Sequence, residues 1–200
     1  MQDLFLQWDS TTKMRITIFE ENGGLHDLQR ALGHATTLNA VRRHGDFVLT
    51  SCAANGLQPF MQHDNNWDQG QVFFTPSQVW GMPPFYATQM ASKNHEPLRV
   101  FNSVEGNLDV TAARSEKGDV LVVHVVNTTT DETKALVDLN GFEGKKSLIK
   151  IYTLSGDLTA ENLPATPEKT STKTTTMEVK GNNINYTFPA HSYTILRFEK

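Results

Sequence analysis

The stretch RITIFEENGGLHDLQRALGHATTLNAVRRHGDFVLTSC, residues 15–52, changes its period twice. Residues 15–20 (RITIFE) and 47–52 (FVLTSC) are short runs rich in β-branched and aromatic side chains, the composition of strands. Between them Leu25, Leu28, Leu32, Ala35, Leu38 and Val41 recur at steps of three or four, one face of a helix over residues 25–41. Asn22, Gly23 and Gly24 precede this helix, and Arg42, Arg43, His44 and Gly45 close it as a basic last turn followed by glycine should. Strand, helix and strand together predict a βαβ unit with parallel strands.

Outward from this unit, residues 54–70 form a polar loop, residues 71–74 another short apolar run, and Thr75-Pro76 reads as a helix cap followed by proline at a first helical position. A second helix is expected from Pro83-Pro84 to about Lys93. From Pro97 the helical period disappears. Runs at 98–105, 107–114, 119–127, 133–139, 147–154, 175–180, 184–188 and 193–198 alternate apolar with polar residues, and turn residues separate them. A repeat of roughly 8 to 12 residues is the rhythm of an antiparallel β-sandwich. Phe101, Val123, Val125, Ile149, Ile151, Ile195 and Leu196 are expected in its core or cover, and residues 157–174 in a surface loop. The first half looks incomplete, because a parallel sheet is normally buried on both faces within a closed barrel or doubly wound domain.

Two hundred residues allow one domain or one and a fraction. At 38% hydrophobic and 20% charged residues the chain is neither disordered, collagenous nor coiled coil. A net charge of -4 leaves no basic surface with which to grip phosphates, so no nucleic-acid partner is expected. No apolar run approaches the roughly 20 residues of a membrane span, and residues 1–8 lack the blocks of a signal peptide. The single cysteine, Cys52, forms no internal disulfide and is expected as a small buried hydrophobe.

Glu20 and Glu21 end the first strand, and adjacent strand residues face opposite sides, so only one of them points into a cleft. Both fit solvated acids at a helix N-terminus, and either fits a catalytic carboxylate at a strand's C-terminal end. The following loop gathers Asn55, His63, Asp64, Asn65, Asn66, Trp67, Asp68 and Gln69. Amides beside a tryptophan suit a sugar, whose hydroxyls need two-way hydrogen-bonding partners and whose ring packs on an aromatic plate, although a turn-rich loop has the same composition. The seven histidines are scattered; His26 and His34 lie eight residues apart, too far to share one ion on a straight helix, and no metal site is expected. His34 and His124 fall inside regular elements and are expected as packed, hydrogen-bonded residues. Residues 51–53 do not form a nucleophile elbow, and no phosphate-binding glycine loop is present.

In order along the chain, ITIFEENGGLHDLQRALGHATTLNAVRRHGDFVL, AANGLQPF, NNWDQGQVFFTPSQVWGMPPFYATQMA and FPAHSYTILRF resemble the C-terminal third of an α-L-arabinofuranosidase of glycoside hydrolase family 51. The resemblance is dense over residues 16–90 and more generic beyond. It implies an α/β plus all-β fold, with residues 1–95 forming the last two β/α units of a (β/α)8 catalytic barrel and residues 97–200 a C-terminal β-sandwich. It implies a parent enzyme that removes terminal arabinofuranosyl units from arabinose-containing oligo- or polysaccharides with retention, without a cofactor.

Phe19-Glu20-Glu21-Asn22 occupies the family's nucleophile segment, which puts the nucleophile at Glu21 and leaves Glu20 in a slot often held by aspartate or serine. Asn22 departs from the aromatic residue usual there. Trp67-Asp68-Gln69 matches a Trp-x-Gln segment, which implies that Gln69 hydrogen-bonds the sugar and Trp67 forms its platform; Asn55 matches a strand-eight asparagine. A retaining glycosidase needs a second carboxyl about 5 to 5.5 Å from the nucleophile. In the family that acid/base glutamate follows an asparagine, and no Asn-Glu precedes Glu21 here, so the chain is expected to be an inactive C-terminal fragment. Nothing in the sequence fixes the compartment; an extracellular or periplasmic parent is favoured. The alternatives are a non-catalytic carbohydrate-binding or stability module, and a xylanase or glucanase on the same architecture. The unclosed strands predict either extensive packing on the sandwich or a homo-oligomer formed through residues 15–90, with self-association favoured.

Overall fold

In a computed structural model, which describes residues 2–62, 68–142, 148–179 and 181–199, the chain opens with a short helix, α1 (Gln2–Trp8). Strand β1 (Ile16–Glu21), helix α2 (Leu28–Arg43) and strand β2 (Val48–Ala53) follow, and β1 and β2 pair in parallel, with Ile16 opposite Val48 and Glu21 opposite Ala53. The helix begins three residues later than its apolar stripe predicts, because the Asp27 carboxylate caps it by accepting the Arg30 N–H at 3.0 Å. Leu25 therefore lies outside the helix, in a left-handed conformation with φ 67°, and is exposed. The C-cap is His44, not a glycine.

Strands β3 (Leu57–Pro59), β4 (Val72–Phe74) and β5 (Val79–Gly81) form a small sheet, and α3 (Pro83–Lys93) follows it. Thr75-Pro76 starts no helix. The Thr75 hydroxyl accepts the backbone N–H groups of Ser77 and Gln78 at 3.4 and 3.1 Å, closing the turn between β4 and β5.

The rest is antiparallel: β6 (Leu98–Val100), β7 (Asp109–Arg114), β8 (Val120–Asn127), β9 (Thr133–Asp138), β10 (Leu148–Ser155), β11 (Lys173–Glu178), β12 (Asn183–Phe188) and β13 (Ser192–Glu199). Six of these make one sheet in the order β11-β10-β13-β8-β7-β6, and β12 pairs with β9 as a separate ribbon. Leu121, Val123, Val125, Ile149, Ile151, Leu196 and Phe198 fill the space between sheet and ribbon together with Ile184 and Phe188. On the other face of the sheet Val122, Val126, Leu154, Tyr193 and Ile195 receive Leu28, Ala31, Leu32 and Ala35 of α2 and Ala87 and Met90 of α3.

Three expectations are corrected. Strand β8 does not alternate: VLVVHVVN is buried from Leu121 to Asn127, because the ribbon covers one face and the helices the other. Phe101 is 86% exposed, since pairing with β7 ends at Val100. Cys52 is exposed rather than buried. Among the described residues β1 and β2 pair only with each other, and Phe19 (83%) and Leu49 (58%) lie open beside it.

Polar pins fix the helices to the sheet. Asn39, fully buried on α2, donates to Asp109 Oδ1 at 2.6 Å and accepts from the Thr111 hydroxyl at 3.0 Å, while Arg43 pairs with Asp109 at 2.9 Å. His124 and Tyr193 meet at 2.8 Å; burial pushes the histidine well below its ordinary value and the phenol up to about 12, so both are neutral near pH 7. The β10–β11 connection reaches back over the first half. Its Ala160 and Leu158 carbonyls accept the Leu28 and Gln29 N–H groups at 3.1 and 2.9 Å, satisfying donors that the first turn of α2 leaves free. Asn162, 1% exposed, donates to the Gly81 and Thr170 carbonyls at 2.8 and 3.0 Å, accepts the Thr170 N–H at 2.8 Å, and its own carbonyl takes the Trp80 indole N–H at 3.1 Å. Among the described residues no helix is long and apolar enough to cross a membrane.

Asn162→Ala removes three of these bonds from a dry site and is expected to lower stability by about 2 kcal/mol or more in denaturant unfolding, with the β-signal of the folded state retained. The open β1–β2 face predicts that the 200-residue chain self-associates and binds an apolar dye. Phe19→Ser with Leu49→Ser should reduce both in light scattering and fluorescence; an unchanged scattering mass excludes this face as the contact.

Candidate functional site

The two adjacent glutamates have different surroundings. Glu20 is exposed, and its carboxylate accepts a hydrogen bond from the Asn22 amide at 3.0 Å. A register irregularity falls between Ile18 and Glu21, and the Glu21 carboxyl reaches α2. There Oε1 lies 2.6 Å from His34 Nδ1 and Oε2 accepts from the Ser51 hydroxyl at 3.0 Å. Burial raises the Glu21 pKa, but the His34 hydrogen bond and charge, the Ser51 hydroxyl and the Arg30 charge outweigh it, so the carboxyl is held below its ordinary 4.5. It is a carboxylate at neutral pH, in a partly dry position.

Arg30 organises the loops around it. Its guanidinium donates to the carbonyls of Leu25 at 2.9 Å, Ala54 at 2.6 Å and Gln69, joining the segments that follow β1, β2 and β3. Burial pushes this guanidinium down from its ordinary value, and Glu21 and Asp27 pull it back. Gln58, 4% exposed, accepts the Gln69 and Gly70 N–H groups at 3.2 and 2.7 Å and donates to Asp68 at 3.0 Å. Gly70 is required here, since a Cβ would stand 2.5 Å from the Gln58 Cβ.

A cleft of about 440 Å³ opens above these groups, lined by Glu21, Asn22, Gly23, Asp27, Arg30 and His34 among others. Gln69 is 7% exposed and does not line it; its amide reaches Asn22, which does, at 3.4 Å. Asn55 contributes its backbone carbonyl to the Gln71 N–H at 3.0 Å. Trp67, with His63, Asp64, Asn65 and Asn66, lies outside the described residues. Among the described residues no group of three or more His, Cys, Asp or Glu side chains has the geometry to hold a metal.

The sequence reading missed Arg30, Gln58, Ser51 and the role of His34. His34 does pack, as expected, but on the candidate carboxylate: its Nε2 lies 2.9 Å from the Thr88 hydroxyl of α3. Histidine and arginine one turn apart on the helix after a strand-terminal Glu pair were the available signal. Their partners on β2, α3 and the 68–70 segment are remote in sequence.

A mainly antiparallel sheet thus packs on two helices, and a parallel strand pair ends beside a cleft that holds the Glu21 carboxylate. Residues 14–192 match the model of the alpha-L-arabinofuranosidase C-terminal domain, and the chain belongs to that family. No curated protein matches the chain. Among solved structures, the arabinose-bound MgGH51 α-L-arabinofuranosidase superposes with a TM-score of 0.78 at 22% identity, covering 88% of this chain and 28% of that one. The α-L-arabinofuranosidase from Thermotoga maritima in its arabinose complex gives 0.79 at 18% identity, with 93% and 43% covered. The catalytic domain of GH30 xylanase C from Talaromyces cellulolyticus gives 0.67 at 16% identity, with 95% and 42% covered. At these identities the likeness is one of fold, and the chain spans less than half the length of each.

Because the folded-state pKa of Glu21 is depressed, its contribution to stability is present above the unfolded value and is lost as pH falls through the folded one. Glu21→Gln should therefore destabilise the chain at pH 7 and make progressively less difference below pH 4.5, the ordinary value, in unfolding curves measured across that range.

Proposed function

We propose that this chain is the C-terminal part of a retaining α-L-arabinofuranosidase that cleaves terminal arabinofuranosyl units from arabinose-containing oligo- or polysaccharides. On this reading residues 1–95 are the last two β/α units of a (β/α)8 catalytic barrel and residues 97–200 its β-sandwich. The family membership, the parallel β1–α2–β2 unit whose strands pair only with each other among the described residues, and the share of each related structure that the chain spans support it.

The observation that carries the mechanism is the ionised Glu21 at the C-terminal end of β1, facing the cleft. Its Oε2 forms a bond to the anomeric carbon as the bond from that carbon to the leaving oxygen breaks. The leaving oxygen takes its proton from a carboxylic acid outside this chain. Water, deprotonated by the same outside group, then releases the sugar and restores the carboxylate. The resemblance gives Gln69 a sugar hydroxyl and Trp67 the ring platform; in this chain the Gln69 amide reaches the cleft through Asn22, at 3.4 Å. Without the acid partner and the remaining barrel the 200-residue chain turns over no substrate.

Glu21→Gln in the longer enzyme should lower the rate on nitrophenyl arabinofuranoside on the order of 10³-fold or more, because a carboxamide forms no glycosyl ester. Glu20→Gln should stay near the wild-type rate. The opposite result moves the nucleophile to Glu20; full activity of both variants removes the assignment. The fold shared with a xylanase favours one second reading, and faster hydrolysis of nitrophenyl xyloside than of the arabinofuranoside would establish it.

A further inference from the structure

Resting on the reading of Glu21 as nucleophile, we propose that His34, braced by Thr88, is the positioning residue that holds this carboxylate in one orientation for attack. The ring stands between two helices. Nδ1 is 2.6 Å from Glu21 Oε1, and Nε2 is 2.9 Å from Thr88 Oγ1. That hydroxyl lies 3.0 Å from both Gln71 Oε1 and the Pro84 carbonyl.

The Glu21 carboxylate only accepts, so the proton at that contact belongs to Nδ1 in either charge state of the ring. If Thr88 donates to Gln71 or Pro84, Nε2–H donates to Thr88 and the ring is an imidazolium paired with the carboxylate. If the ring is neutral, Thr88 donates to Nε2. Both arrangements leave Nδ1–H on Oε1.

The other charged groups around Glu21 do not duplicate this bond. Arg30, also on α2, spends its donors on the Leu25, Ala54 and Gln69 carbonyls and acts on Glu21 only through its charge. Asp27 accepts the Arg30 N–H at the helix cap, and Glu20 points to solvent. From β2 only the neutral Ser51 hydroxyl approaches. His34 is 7% exposed on a helix whose neighbouring face is locked into the sheet by Leu28, Ala31, Leu32 and Ala35, so its ring has no room to swing away. Oε1 is thereby anchored, Oε2 is the oxygen that forms the ester, and the same Nδ1–H stabilises the carboxylate as it departs in the second step.

The test combines a titration of this chain with kinetics of the longer enzyme. In the 200-residue chain the ¹³C signal of the Glu21 carboxyl should titrate at higher pH in His34→Ala than in wild type. His34→Asn, whose amide N–H reaches the place of Nδ1, should bring it back toward wild type. In the enzyme His34→Ala should lower kcat/KM about tenfold or more, the scale of a lost hydrogen bond to a charged group, and move the acid limb of its pH profile upward. His34→Asn should recover part of both. If His34→Ala does not fold, Thr88→Val, nearly isosteric, should shift the titration in the same direction by less. An unmoved Glu21 titration in His34→Ala, or in Thr88→Val where only that variant folds, overturns the positioning role. Wild-type activity of Glu21→Gln overturns the nucleophile reading instead, and the two failures are read in different experiments.

Discussion

The packing of Leu28, Ala31, Leu32 and Ala35 on Val122, Val126, Tyr193 and Ile195 is the contact on which the rest of the structure depends. Burying a side chain of Leu or Ile size is worth roughly 1.5–3 kcal/mol, and the stripe is continuous. It ties a helix that belongs to a parallel unit onto the outside of an antiparallel sheet. With that face committed, the adjoining residues Arg30 and His34 have a defined direction, and the cleft forms where they meet β1. The polar pins add direction to the same joint: Asn39 with Asp109 and Thr111, and His124 with Tyr193, have few alternative partners in a dry layer.

Around Glu21 the surroundings act in opposite directions. Desolvation alone works against an ionised carboxyl, and it is the largest single influence on the group. The histidine contact, a serine hydroxyl and a nearby guanidinium together exceed it. Arg30 is itself partly buried, and three carbonyl acceptors offset the loss of its water. One side chain thus closes three loop segments and supplies positive charge near the carboxylate.

The connection between β10 and β11 also reaches the site directly. Carbonyls of residues 158 and 160 cap the helix that bears Arg30 and His34. His26, just before that helix, lies 3.1 Å from Asp68 and 3.4 Å from Glu161, and its ring stands 4.8 Å from Phe73. The 22–27 turn is therefore held both by Glu161 of the β10–β11 connection and by Asp68 of the 68–70 segment. The sheet is more than a cover for the helices.

Local pattern was enough for the parallel unit, for α3 beginning at Pro83, and for the positions of the strands from β7 onward, because each is a run of strand-forming residues bounded by turn residues, although the alternation itself survives in β9 and the start of β10 and not in β8 or β13. The Glu20-Glu21 pair at a strand end was legible for the same reason. Tertiary packing decided what periodicity cannot encode. The double burial of β8 follows from a helix remote in sequence, and the exposure of Cys52 from the fact that, among the described residues, β2 pairs with β1 alone. The turn at Thr75 arises because a threonine hydroxyl serves a turn as readily as a helix cap. The difference between Glu20 and Glu21 came from Ser51, Arg30 and His34, brought together by chain reversal. A side chain's charge state is set by what surrounds it in space, and only folding puts those groups within hydrogen-bond distance.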